Sequence, residues 1–101
     1  MQVSFAPLAI SDLEGIGDYI AADNPRRAVS FVEDLQHQCN KILRAPLGYR
    51  ARTELAEGLR SCPYGNHVIF FRVSETDLLI VRILHGAMDM SAQFSQYQGS
   101  T

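Results

Sequence analysis

Arg60, Arg82 and His85 are the residues of this chain whose types suit chemistry on a substrate. Two guanidinium groups can hold a phosphodiester, and an imidazole that titrates near neutrality can move a proton. Arg82 interrupts an otherwise apolar run from Leu78 to Leu84, where a charge must be paired or must reach an open sheet face. Arg60 lies in a second extended stretch. His85 ends the Arg82 run beside Gly86, where a side chain reaches solvent. Strict alternation along a strand sets Arg82 and His85 on opposite faces, so only a bulge or a twist brings them together. A structural reading stands beside this one. It pairs Arg82 with Glu54 or Glu57, makes His85 a hydrogen-bonded strand end, and leaves Arg60 the more exposed and binding-competent of the two arginines.

The usual catalytic signatures are missing from the sequence. It contains no glycine-rich phosphate loop, no HExxH, no CxxC and no GxSxG. His37, His67 and His85 are far apart and share no metal-ligand spacing with Cys39 and Cys62, so neither a metal nor a cofactor is expected. Cys39 falls on an apolar stripe and reads as a structural thiol. Free thiols and the lack of a basic segment followed by an apolar core point to a cytoplasmic protein without a secretory signal.

These residues must be positioned by a small framework. With 101 residues the chain is one domain, too short for a TIM barrel or a complete dinucleotide-binding domain. Its 47% hydrophobic and 20% charged residues fit an ordered globule, and no apolar run spans a bilayer. The net charge of -2 is not that of a bulk nucleic-acid binder, and no sequence-specific DNA binding by this chain alone is expected. The charge is uneven. Residues 1–24 hold four acids and no base, whereas residues 25–60 hold seven bases against four acids.

Val3 and Phe5 alternate as a short first strand. Pro7 permits a helix start, and Ala9, Leu13, Ile16 and Ile20 form one helical face over residues 8–21, with the acids on the other side or near the start. Asn24 and Pro25 restart the chain as a second helix over 25–44, with Ala28, Val32, Leu35, Cys39 and Ile42 as its buried stripe. Three strands follow: about 59–62, then 67–73, then 78–85. A turn is expected over 63–66 and a brief helical turn within 87–95. The fold class is therefore α+β: a short N-terminal strand, an antiparallel helical hairpin, then a C-terminal three-stranded antiparallel meander forming one small sheet. Residues 1–95 make the domain and 96–101 a frayed tail. Both helical stripes should face the sheet.

In order and spacing the chain resembles ParE-type toxins of the RelE/ParE superfamily. The resemblance runs from Val3 to about Asp89. It rests on Ala9, Asp12, Leu13, Ile16, Tyr19 and Ile20, then Asn24, Pro25, Ala28 and Phe31, then Pro46 and Gly48, then Gly58, Leu59 and Arg60. His67, Ile69 and Phe71 echo the family's Tyr-x-Ile-x-Tyr strand, and Ile80, Arg82, Ile83, Leu84, His85, Gly86 and Asp89 its closing motif. The resemblance implies a type II toxin that inhibits DNA gyrase, wrapped by a cognate ParD-like antitoxin in a heterotetramer or larger complex. A RelE-like ribosome-dependent mRNA endoribonuclease, using Arg60, Arg82 and His85, is the alternative it implies. A toxin fold that keeps antitoxin binding but little toxicity is a third. Arg50, Arg52, Arg60, His85 and Met88 are the expected contacts to target or antitoxin. Met88 stands where the family often carries arginine.

Overall fold

The computed structural model describes residues 1–98. The elements run β1 (Gln2–Phe5), α1 (Pro7–Asp23), α2 (Pro25–Arg44), a 3-10 turn (Pro46–Gly48), β2 (Arg50–Ala51), β3 (Arg60–Tyr64), β4 (His67–Val73), β5 (Asp77–His85) and α3 (Met90–Gln98). They make an α+β fold with a helical hairpin on one five-stranded mixed sheet, ordered β1-β5-β4-β3-β2. The expected meander β3–β4–β5 is present and antiparallel. It is not the whole sheet: β1 adds to β5 in parallel, and the two-residue β2 adds to β3. Arg50 and Ala51 carry no alternating pattern, so nothing local marks them as a strand; β3 supplies the partner that makes them one.

The helices follow from their ends. Asn24 forms the single-residue link. Its N–H donates to Ile20 O and closes α1, while its side chain accepts the Arg27 N–H and opens α2. In α2 the stripe Leu35, Cys39 and Ile42 is buried against the sheet, with Val32 half-buried. The α1 stripe is different: Ala9 is buried, but Leu13, Ile16 and Ile20 are only half-buried. The helix covers the sheet at its start and leaves its second half open on one side.

The sheet has two apolar faces. Cys62, Ile69, Phe71, Leu78, Ile80 and Ile83 pack beneath the hairpin. Phe70, Val81 and Leu84 pack on the opposite face with Leu55, Ala56 and Leu59 of the loop before β3 and with Phe94 of α3. The turn expected over 63–66 is narrower, since Pro63 and Tyr64 extend β3 and only Gly65 and Asn66 remain in it. Gly65, at φ 57, takes the first central position that a two-residue hairpin reserves for glycine. The brief turn expected within 87–95 is a full helix, whose backbone extends to Gln98. Of the tail expected over 96–101, residues 99–101 lie outside the described residues.

Candidate functional site

An open cleft of about 1230 Å³ lies between the cleft-side faces of α1 and α2 and the end of the sheet formed by the β3–β4 turn and the end of β5. Its apolar wall is the uncovered part of α1: Ile16, Tyr19 and Ile20, with Tyr19 83% exposed. Phe31 of α2 joins that wall. It sits edge-on to Tyr64 at 5.5 Å and to His67 at 5.6 Å, with the Arg27 guanidinium 5.7 Å above its ring. The Tyr64 hydroxyl donates to Phe31 O.

Arg82 and His85 both line this cleft, and β5 carries a bulge just before Arg82. Phe70 pairs with Arg82 and Phe71 with Ile80, so Val81 is an extra residue in β5. One inserted residue reverses the alternation. Ile80 and Ile83 therefore both face the hairpin core. From Arg82 to His85 the pairing is regular, so the bulge does not join these two; the Arg82 side chain reaches the cleft through its bonds to Asp12, at the edge of β5 beyond Ile80 where the pairing with β1 ends. The partner of Arg82 is neither Glu54 nor Glu57 but Asp12 of α1. Arg82 Nε donates to Asp12 Oδ2 at 2.8 Å, Nη2 donates to Oδ1 at 2.9 Å, and the Ile83 N–H adds a third bond to Oδ2 at 3.0 Å. The pair is mostly sealed, at 12% and 14% side-chain exposure. Asp12 thus lies on the inner side of α1, not among the outward or N-terminal acids. The sequence hint was its own register, three residues after Ala9 on the buried side.

His85 stays exposed. Its Nδ1 accepts the Ala87 N–H at 3.1 Å, and its ring stands 5.4 Å edge-on from His67, its cross-strand partner. Burial, and then the neighbouring His85, push the His67 imidazole below 6.5. His37 lines the cleft from α2 and Met88 from beyond β5. Among the described residues no group of three or more His, Cys, Asp or Glu gathers as a metal site.

The remaining expected contacts lie elsewhere. Arg60 is half-buried rather than open, and its Nη1 donates to Leu47 O at 3.4 Å and to Tyr49 O at 2.8 Å. It holds the loop that leads into β2. Arg52 donates to Glu54 and to the Ser61 hydroxyl and stacks 5.6 Å over Phe70, on the face away from the hairpin. Arg52 holds the Glu54 carboxyl below its usual range. Arg50 is exposed on edge strand β2. None of these three lines the cleft. The set Arg60, Arg82 and His85 is therefore split: Arg60 pairs across the sheet with Phe71, four residues along β4 from the His67 that pairs with His85. Cys39 and Cys62 are buried free thiols; burial, then the proximity of Cys62, raises Cys39 to about 11, which keeps it an unreactive core group. Lys41, Asp34 and Phe31 line the cleft but do not figure among the residues expected at the site.

Known proteins share this frame. The family described as "ParE toxin of type II toxin-antitoxin system, parDE" matches residues 3–90. "Toxin ParE1" of Mycobacterium tuberculosis, in two strains, is 34% identical over 65 residues, covering 63% of this chain and 66% of the relative's own length. Among solved structures, the chromosomal ParDE toxin–antitoxin system from P. aeruginosa superposes with a TM-score of 0.72 at 23% identity, covering 84% of this chain and 95% of that one. The toxin–antitoxin complex RelBE2 from Mycobacterium tuberculosis superposes with a TM-score of 0.56 at 27% identity, covering 83% and 95%.

Proposed function

The chain belongs to the ParE toxin family of type II toxin–antitoxin systems, and from that premise we propose that it is the toxin of such a pair, acting on DNA gyrase by contact and silenced by a ParD-like antitoxin seated in the cleft. The observation that carries the non-catalytic reading is the engagement of both candidate arginines inside the fold. Arg82 is committed to Asp12, and Arg60 to two backbone carbonyls. Phosphodiester cleavage by this set needs cations aimed at the developing charge and a proton-transfer group within reach of it. Here the guanidinium groups are spent on holding elements together, and Arg60 and His85 stand at different ends of the β3–β4 pair. The strand scission chemistry then stays with gyrase, and this protein stabilises the cleaved state.

The antitoxin reading draws on the cleft. The uncovered stripe of α1, half-buried Ile16 and Ile20 with exposed Tyr19, is apolar surface that a partner helix would remove from water. A complex of two toxins and two antitoxins, or a larger one, is the assembly this reading carries.

The deciding experiment incubates the purified protein with gyrase, ATP and supercoiled DNA, beside a parallel ribosome–mRNA cleavage reaction. Linear DNA trapped with gyrase, abolished by adding the antitoxin, is the expected result. Codon-dependent mRNA cuts without any gyrase effect would replace the proposal with a ribonuclease centred on His85. No effect in either assay, with tight antitoxin binding retained, would leave a toxin fold without this toxicity.

A further inference from the structure

Besides His37, the α2 wall of the cleft is built by Arg27, Phe31, Asp34, Gln38 and Lys41. The spacings of these five, four, three, four and three, make one stripe along the helix, beside the sheet-facing stripe of Ala28, Val32, Leu35, Cys39 and Ile42. Its charges alternate: positive at 27, negative at 34, positive at 41. Each step of seven residues is about 10.5 Å along the axis, so the pattern extends about 21 Å. The fold itself has little use for it. The Arg27–Asp34 contact is 3.4 Å long with both side chains half-exposed, a geometry of little stabilising worth. Lys41 makes no ion pair among the described residues.

We propose that this stripe sets the register of an antitoxin helix lying along α2, an inference that rests on the antitoxin reading of the cleft. The helix that fits carries an acid facing Arg27, a base facing Asp34 and an acid facing Lys41, seven residues apart. Its apolar side turns to Ile16, Tyr19 and Ile20 of α1. A slip of one turn sets its charges against Phe31 and Gln38 and leaves them unpaired. A slip of two turns sets an acid on Asp34 and a base on a cation, where like charges repel. The pattern is the same read in either direction, so it specifies register and leaves polarity to the apolar contacts.

The test measures binding of the full-length antitoxin encoded beside this gene by calorimetry at physiological salt, with circular dichroism to verify that each variant folds. Lys41→Glu should weaken binding by about tenfold. Arg26→Glu, the same charge change one residue outside the lining, should leave it within about twofold. Asp34→Lys separates the ideas most sharply. If the antitoxin were held only by general attraction of an acidic partner, the added positive charge would tighten binding; register reading requires it to weaken by about tenfold. An antitoxin variant with its matching base changed to Glu should restore affinity for Asp34→Lys. Failure of the unmodified pair to bind removes the antitoxin reading itself. Normal binding of the unmodified pair with no loss in Lys41→Glu, or with tighter binding in Asp34→Lys, overturns the register inference alone.

Discussion

Asp12 joins α1 to β5 through three hydrogen bonds, two to the Arg82 guanidinium and one to the Ile83 N–H. Taking two charges out of water is costly, and their attraction repays it only when the remaining donors and acceptors are satisfied. Here the carboxylate is close to saturated, so cutting it out removes the acceptor of three hydrogen bonds at once. Asp12→Ala should lower unfolding free energy by about 3 kcal/mol in urea titration, because it deletes the buried carboxylate that accepts two Arg82 bonds and the Ile83 N–H. Asp12→Leu combined with Arg82→Met should recover a large part of that loss, since no buried charge remains. Loss equal to the sum of the two single variants would show that the pair does not act as a unit. At the other end of the cleft, His67 sits below its ordinary value of 6.5 because burial, and then His85, disfavour its charge. As pH falls, the unfolded chain takes up that proton first. The contribution of His67 is therefore whole above about 6.5 and is lost as pH drops through the folded value. Denaturation midpoints taken from about pH 7 to about pH 5 should fall for the unmodified chain and fall less for His67→Gln.

Between elements, the decisive features are a cap and a bulge. Asn24 ends one helix with its N–H and starts the next with its side chain. Asn24→Ala should cost about 1 kcal/mol, read as a lower thermal midpoint with the fold unchanged by circular dichroism. This junction was legible because Asn followed by Pro is local chemistry: a side-chain acceptor, then a residue that has no N–H to lose. The bulge at Val81 was not legible. Leu78 to Leu84 reads as a plain buried strand, and plain alternation sets Ile80 and Ile83 on opposite faces. The extra residue exists because Phe70 and Phe71 pair with Arg82 and Ile80, a fact about two strands that neither strand carries alone. For the same reason Asp12 could not be matched to Arg82 from sequence. The two stand seventy residues apart, and Glu54 and Glu57 were nearer along the chain.

As a whole the molecule is a sheet clad unequally. The hairpin covers one face, and the other is closed by the loop before β3 and by α3. Phe94, fully buried with its ring 4.8 Å from that of Phe70, pins α3 in place. Phe94→Ala should destabilise by about 3–5 kcal/mol in denaturant titration, the range for a buried aromatic replaced by a void. A loss below about 1 kcal/mol would mean that α3 simply detaches at little cost to the rest. The same inequality produces the cleft, since α1 covers the sheet with Ala9 and leaves Ile16, Tyr19 and Ile20 beside open space.

The sequence by itself determined the succession strand, helix, helix, three strands, the extent of α2, the Leu35, Cys39 and Ile42 part of its buried stripe, the position of β4 and the family, because each rests on periodicity, capping or motif spacing within a few turns of chain. It also placed Arg82 correctly as a charge that a buried strand must pair. The partner of that charge, the fifth strand at Arg50–Ala51, the commitment of Arg60 to the carbonyls of Leu47 and Tyr49, and the meeting of α1, α2 and the end of β5 around one cleft were decided only by tertiary structure. Each of these joins segments that are separated in the chain, and their pairing is selected by which groups must satisfy one another once water is excluded, a condition that no local window contains.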